Sequence, residues 1–223
     1  MYKFLKTGIL TIALVSTTIL VFAQKKITEG EIQLTSTYHP TSEQAPMVAM
    51  LPNSTTLKFK GNMIKFEIQN GPANIAIIQD FVNLGSLTLI DIPVMQKQFA
   101  IPTSKEVVQE EINKLAKYVN FTATGEKSVI SGFNVEKYTY QDDQGNQYEL
   151  YTTQDIELPA SIFGSQFKDV KGAMIKFTTT TQGIKVTQTV KAIKESKIAD
   201  MSLTVPNGYE ITTMEEIMAM AGE

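Results

Sequence analysis

The chain has no cysteine, no arginine and no tryptophan, and its 223 residues include one histidine, His39. Each absence closes a class of chemistry. Without cysteine there is no disulfide, no thiolate nucleophile, no thiolate metal site and no N-terminal cysteine to carry a lipid. Without arginine there is no planar fork to grip a phosphate or carboxylate through two parallel hydrogen bonds. That disfavours phosphoryl transfer, although an A/T-rich coding bias explains the same lack. One histidine cannot build a histidine-rich zinc site. Lacking tryptophan, the chain would have to stack a sugar on tyrosine.

Charge is also sparse. Charged residues make up 19% of the chain and hydrophobic residues 43%, the balance of an ordinary globular protein with one sizeable core. The length favours a single domain. Residues 1–23 have the three-part pattern of an export signal. Lys3 and Lys6 are followed by an apolar stretch from Gly8 to Val21, then by Val21-Phe22-Ala23 and Gln24. A cleaved signal peptide over 1–23 and one β-rich domain over 24–223 are the expected organisation. Without the two signal lysines, 18 basic side chains face 23 acidic ones, a net charge near -5. Such a chain is a poor partner for nucleic acid, whose binding depends on releasing counterions from phosphates. No second apolar stretch reaches the roughly 20 residues of a membrane span. The mature chain is therefore expected to have no integral span and to be periplasmic or secreted.

Period-two alternation dominates what remains. Leu57 and Phe59 alternate with Lys58 and Lys60, Gly61-Asn62 makes a two-residue loop, and Ile64, Phe66 and Ile68 alternate with polar neighbours. This predicts a hairpin. Asn70-Gly71-Pro72 turns the chain. Ile75, Ile77 and Ile78 begin a strand that pairs with Leu87 to Ile92 across Asn83–Ser86, and Lys97 to Ile101 adds a short strand. Two further hairpins are predicted, Phe133–Gln141 with Gln147–Thr153 and Gly172–Thr181 with Gly183–Ile193. A capping box at Thr103-Ser104-Lys105-Glu106 opens a helix whose apolar stripe is Val108, Ile112, Leu115 and Val119. A short helix is expected within Pro159–Phe167, and Thr213 with Glu216 caps a last one carrying Ile217 and Met218. About nine strands and one good helix give an α+β fold, an antiparallel sheet with one or two packed helices. A strongly curved sheet wrapped on its helices would cover the apolar surface and leave a cleft.

Catalytic signals are weak. His39 precedes Pro40, and Ser36, Ser42 and Ser54 are near it in sequence, but none lies in a nucleophile-elbow pattern. The pairs Glu110-Glu111, Asp142-Asp143 and Glu215-Glu216 read as solvated faces, since adjacent acids on a helix diverge by about 100°. Asp142 to Asn146 does not have the spacing of a calcium loop. The methionines, apart from Met1, suit either an adaptable apolar surface or plain core filling, and core filling is the simpler expectation. No catalytic, cofactor-binding, metal-ligating or ligand-binding residue can be named.

Several short segments together resemble a family of exported bacterial proteins, a domain of unknown function. They are Gly30-Glu31-Ile32, Met47 to Met50, Leu57–Lys60, Ser131-Gly132-Phe133 leading into Lys137-Tyr138, Tyr148–Thr153, and Val205-Pro206-Asn207-Gly208-Tyr209-Glu210. That family is similar in fold to the outer-membrane lipoprotein carrier (LolA-like) group. The resemblance implies a half-barrel of curved antiparallel sheet with helices on its concave face and an apolar cavity. It implies a non-catalytic protein binding a lipid, acyl chain or lipoprotein, with no cofactor. Carriers of that group are expected to place an arginine in the cavity. This chain has none, so lipoprotein carriage as such is not carried over. The alternative is an envelope protein-protein interaction, stress-sensing or assembly module with no small-molecule ligand.

Overall fold

The computed structural model describes residues 24–49, 51–159, 162–181 and 183–221. The export signal expected over 1–23 lies outside them. Fourteen strands and three α-helices occupy the described residues. The first strand, β1 (Lys25–Lys26), is short, and β2 (Glu29–His39) is long. A one-turn helix, α1 (Ala45–Val48), leads to a meander. Its strands are β3 (Ser54–Lys60), β4 (Met63–Asn70), β5 (Ala73–Asp80), β6 (Gly85–Ile92) and β7 (Lys97–Thr103). After α2 (Lys105–Lys114) come β8 (Tyr118–Ile130), β9 (Phe133–Asp142), β10 (Gln147–Thr153), β11 (Ile156–Glu157), β12 (Ala173–Thr181) and β13 (Ile184–Glu195). The chain ends with β14 (Glu210–Ile211) and α3 (Met214–Ala221).

Twelve strands form one sheet in the order β14-β7-β6-β5-β4-β3-β2-β13-β12-β10-β9-β8. Every neighbouring pair is antiparallel except β14 with β7, and β1 pairs in parallel with β11 outside the sheet. The long pairing of β2 with β13 joins the two meanders. The α+β class and all three hairpins are as expected. The strong curvature is not: the sheet is neither closed nor strongly curled. It is covered instead by irregular chain laid along it.

Directly opposed residues share a face, so the register defines two faces. One carries Ile32, Leu57, Phe66, Ile77, Thr88 and Ile101 in a single row from β2 to β7. The β10–β12 connection, residues 154–172, covers this face at mid-sheet. Its Ile162 packs with Ile32, Leu57 and Phe59, and its Phe167 packs with Tyr118, Tyr138, Tyr140 and Tyr148. The tyrosines pack largely edge-to-face or stacked, with Tyr118 stacked on Phe167 at 5.2 Å between centroids. Burial raises the Tyr140 hydroxyl above its usual range, and it donates to the Thr178 carbonyl.

The opposite face of β3–β7 is crossed by residues 196–209, a strap without regular structure. Lys60 Nζ holds its start, donating to the Ile198 carbonyl at 3.2 Å and to Asp200 Oδ1 at 2.6 Å. Leu203 fills the space where Gly85 lacks a Cβ, and the strap ends by pairing Glu210 with Phe99 as β14.

Several local expectations are corrected. The helix stops at Lys114, because Leu115 turns to an extended backbone, and Val119 belongs to β8. Its N-cap is Ser104, whose Oγ accepts from Val107 N, not Thr103. The Asn83–Ser86 turn is shifted: residues 81–84 turn and Ser86 is already in β6. Among the described residues of 159–167 the expected short helix is a single 3-10 turn, Ser165–Phe167. At Thr213 the capping box forms as expected, with Glu216 N donating to Thr213 Oγ1 at 3.2 Å and Thr213 N to Glu216 Oε2 at 3.1 Å.

Candidate functional site

β5 and β6 are apolar on both faces. On one face stand Ile75, Ile77 and Ile90; on the other stand Ala76, Ile78, Leu87 and Leu89. Strands of this kind normally sit between two covering layers. The strap covers the second set, burying Ile78 and Leu87. A cavity of about 410 Å³ remains between strap and sheet, floored by Ile78, Leu87 and Leu89 and bordered by Lys58 and Lys65. Both lysines bond Glu67, at 2.7 and 2.8 Å, and these bonds hold the Glu67 carboxyl below its usual range.

The first set has thinner cover. Along the row, Ile32 is 0% and Leu57 2% exposed, while Phe66, Ile77 and Ile101 are only partly buried. The adjacent row runs the other way: Ile68 and Ile75 are partly exposed, and Ile90 and Phe99 are buried. α2 packs against β6, yet none of its residues is fully buried, and Val108 and Ile112 are its least exposed apolar side chains. The face of β4–β7 beside α2 is thus largely apolar and continuous with the core, closed at Ile90 and Phe99 and only partly covered at Phe66, Ile68, Ile75, Ile77 and Ile101.

Further concavities lie among the described residues. A trough of about 840 Å³ crosses β2, β13, β12, β10 and β9 on the strap's side of the sheet, lined by hydroxyls and charges. His39 lies there, exposed, with Nε2 3.0 Å from Thr187 Oγ1. Lys185 and Lys176 lie over the rings of Tyr148 and Tyr151 at 5.0 and 5.6 Å. A cavity of about 510 Å³ lies at the far end of β8, β9 and β10.

Glu110 and Glu111 lie exposed on α2. Asp142 departs from the solvated reading. It is buried and accepts from Asn146 N at 2.8 Å, Asn146 Nδ2 at 2.9 Å, Gln144 N at 3.0 Å and Tyr148 Oη at 2.9 Å. These bonds, that of the Asn146 side chain foremost, hold its carboxyl below the usual range against the cost of burial. It closes the β9–β10 turn. Among the described residues no three His, Asp or Glu side chains cluster as a metal site. The methionines depart from core filling as well: Met174 is buried, but Met47, Met95, Met214, Met218 and Met220 are exposed. No helix among the described residues is long and apolar enough to cross a membrane.

Sequence reasoning named no site residue. The signal that could have done so is the apolar run Ile75–Ile78 in β5, with apolar side chains on both faces of β6 beside it. Compared with protein-family models and with curated proteins, the chain matches none.

Proposed function

We infer that this chain is a non-catalytic, exported binding protein that holds a lipid, an acyl chain or another apolar ligand on the open face of β4–β7 beside α2. The observation that carries this reading is the row from Ile32 to Ile101, fully buried at β2 and β3 and only partly covered from β4 to β7. Water against Phe66, Ile68, Ile75, Ile77 and Ile101 is unfavourable by about 25 cal/mol for each Å² of apolar surface. A chain of methylene groups laid along them removes that contact without needing a specific hydrogen bond. Kinship with the LolA-like group belongs to the same reading. It is supported by the antiparallel meanders and by the irregular chain laid over the sheet, and it requires β4–β7 to curl around the ligand into a half-barrel.

Native mass spectrometry of the protein purified from its own cells without detergent tests this. The expected result is a bound species that organic solvent extracts and that carries an acyl chain. Uniformly ligand-free protein that also fails to enhance the fluorescence of N-phenyl-1-naphthylamine would refute it.

A further inference from the structure

Among the described residues, β8 ends the sheet and pairs only with β9. Edge strands are usually blunted, and this one has two register breaks, between Val119 and Thr122 and between Ala123 and Lys127. Both precede its last part. From Lys127 to Ile130 the ladder is regular, opposite Glu136 to Phe133, and Val129 is 67% exposed. The 510 Å³ cavity opens beside this regular stretch and includes Lys127, Ser128 and Val129 in its wall.

The cavity has a distinctive floor. Val135 is 3% and Thr152 1% exposed, and the Thr152 hydroxyl has no hydrogen-bond partner among the described residues. A buried hydroxyl left unpaired is costly, and native structures seldom leave one without a role. Glu136 and Asp155 stand on the walls, and Lys127 is the one cation among the described residues that line them. An apolar floor and a surplus of carboxylate suit a long side chain with a hydrocarbon stem and a cationic end.

We propose that the Lys127–Ile130 edge receives an extended segment of a partner protein by strand addition, with a lysine or arginine of that segment seated in the cavity over Val135. Main-chain hydrogen bonds to β8 supply affinity, and the cavity supplies selection. The cationic end donates to the carboxylates of Glu136 and Asp155. The net charge near -5 of residues 24–223 favours a basic partner in the same sense. The proposal does not depend on the apolar-ligand reading, since the cavity and the open face lie toward opposite ends of the sheet.

The test is fluorescence polarisation of the full exported chain with a labelled short peptide of alternating threonine and valine carrying one central lysine. Saturable binding is expected, weakened about tenfold or more when the lysine becomes norleucine or when Glu136→Gln is introduced. N-methylation of alternate peptide amides should abolish it. Absence of saturable binding, equal binding of the lysine and norleucine peptides, or insensitivity to N-methylation overturns the proposal. So does a concentration-dependent dimer broken by Glu136→Lys, which would give the edge to a second copy of this chain.

Discussion

Two substitutions in one row of side chains separate core from site. Leu57 is 2% exposed between Ile32 and Phe66, with Ile162 packed over it. Leu57→Ala removes buried methylenes and leaves a cavity, which costs about 2–5 kcal/mol. Ile77 lies two strands further along the same row and is partly exposed. Ile77→Asp leaves no enclosed cavity, because the face above it is open. The cost is then mainly the lost transfer term, about 1–2 kcal/mol. The order reverses for binding. An acyl chain laid over the Ile77→Asp variant would bury an unpaired carboxylate, at a cost of several kcal/mol. Since about 1.4 kcal/mol is tenfold in affinity, binding should weaken by roughly a hundredfold or more. Urea unfolding followed by circular dichroism gives the first pair of numbers, and titration with N-phenyl-1-naphthylamine gives the second. If Ile77→Asp destabilises as much as Leu57→Ala, the face is closed core. If it leaves the titration unchanged, the ligand lies elsewhere. Either result refutes the reasoning.

Gly30→Ala should destabilise by at least about 2 kcal/mol in thermal melts, because a Cβ there would run into the Lys194 carbonyl oxygen in the β2–β13 pairing; an unchanged Tm would contradict that close approach. Gly85→Val should displace Leu203, whose Cδ1 lies 2.5 Å from the position of the added Cβ. Limited proteolysis should then cut within 197–208 while the sheet stays protected, and a strap as resistant as the parent's would show that this contact does not hold it. Asp142→Asn should lower stability at neutral pH and flatten its acid dependence. The Asp142 carboxyl is held below its ordinary value of 3.8, so its contribution is complete above that value and is lost as pH falls through the depressed one. The gap between parent and variant should therefore close in acid, and a gap that stays constant with pH in urea titrations would rule out the carboxylate as its source.

The hairpins were legible because their signals are local. Alternation in Leu57–Lys60 and Ile64–Ile68, with Gly61-Asn62 between, fixes both strands and register, and Lys60 pairs with Met63 as that loop requires. β8 was not legible. Exposed on both faces along most of its length, it shows no period of two, and Val119 falls four residues after Leu115, so it reads as a continuation of the helix. What overrides that spacing is tertiary: Tyr118 stacks on Phe167, 49 residues away, and its hydroxyl accepts from Thr180 N at 3.1 Å. The pairing of β2 with β13 is equally invisible locally, because partners such as Leu34 and Val190 meet only after both meanders exist. Asp142 looked like a solvated turn residue because sequence shows its glycine and asparagine neighbours but not the Tyr148 hydroxyl that closes over it.

The site follows from a requirement that the sequence does contain. Ile75, Ala76, Ile77 and Ile78 are apolar on both faces, and on the neighbouring strand Leu87, Leu89 and Ile90 put apolar side chains on both faces with Thr88 among them. Half-covered antiparallel strands alternate; strands with two apolar faces need two covers. One cover is the strap, which carries few regular backbone hydrogen bonds of its own and is held by Lys60, Leu203 and β14. On the other face α2 is amphipathic only weakly and fully buries none of its residues. A protein that needed only a closed core would place Val108, Ile112 and Leu115 down onto Ile77 and Ile101. Leaving Leu115 exposed and the isoleucines partly wet forgoes stability that an ordinary helix-on-sheet contact would supply. On the proposed reading the second cover is the ligand, and affinity should rise with the length of its apolar chain, by about 0.8 kcal/mol for each methylene that the face can bury.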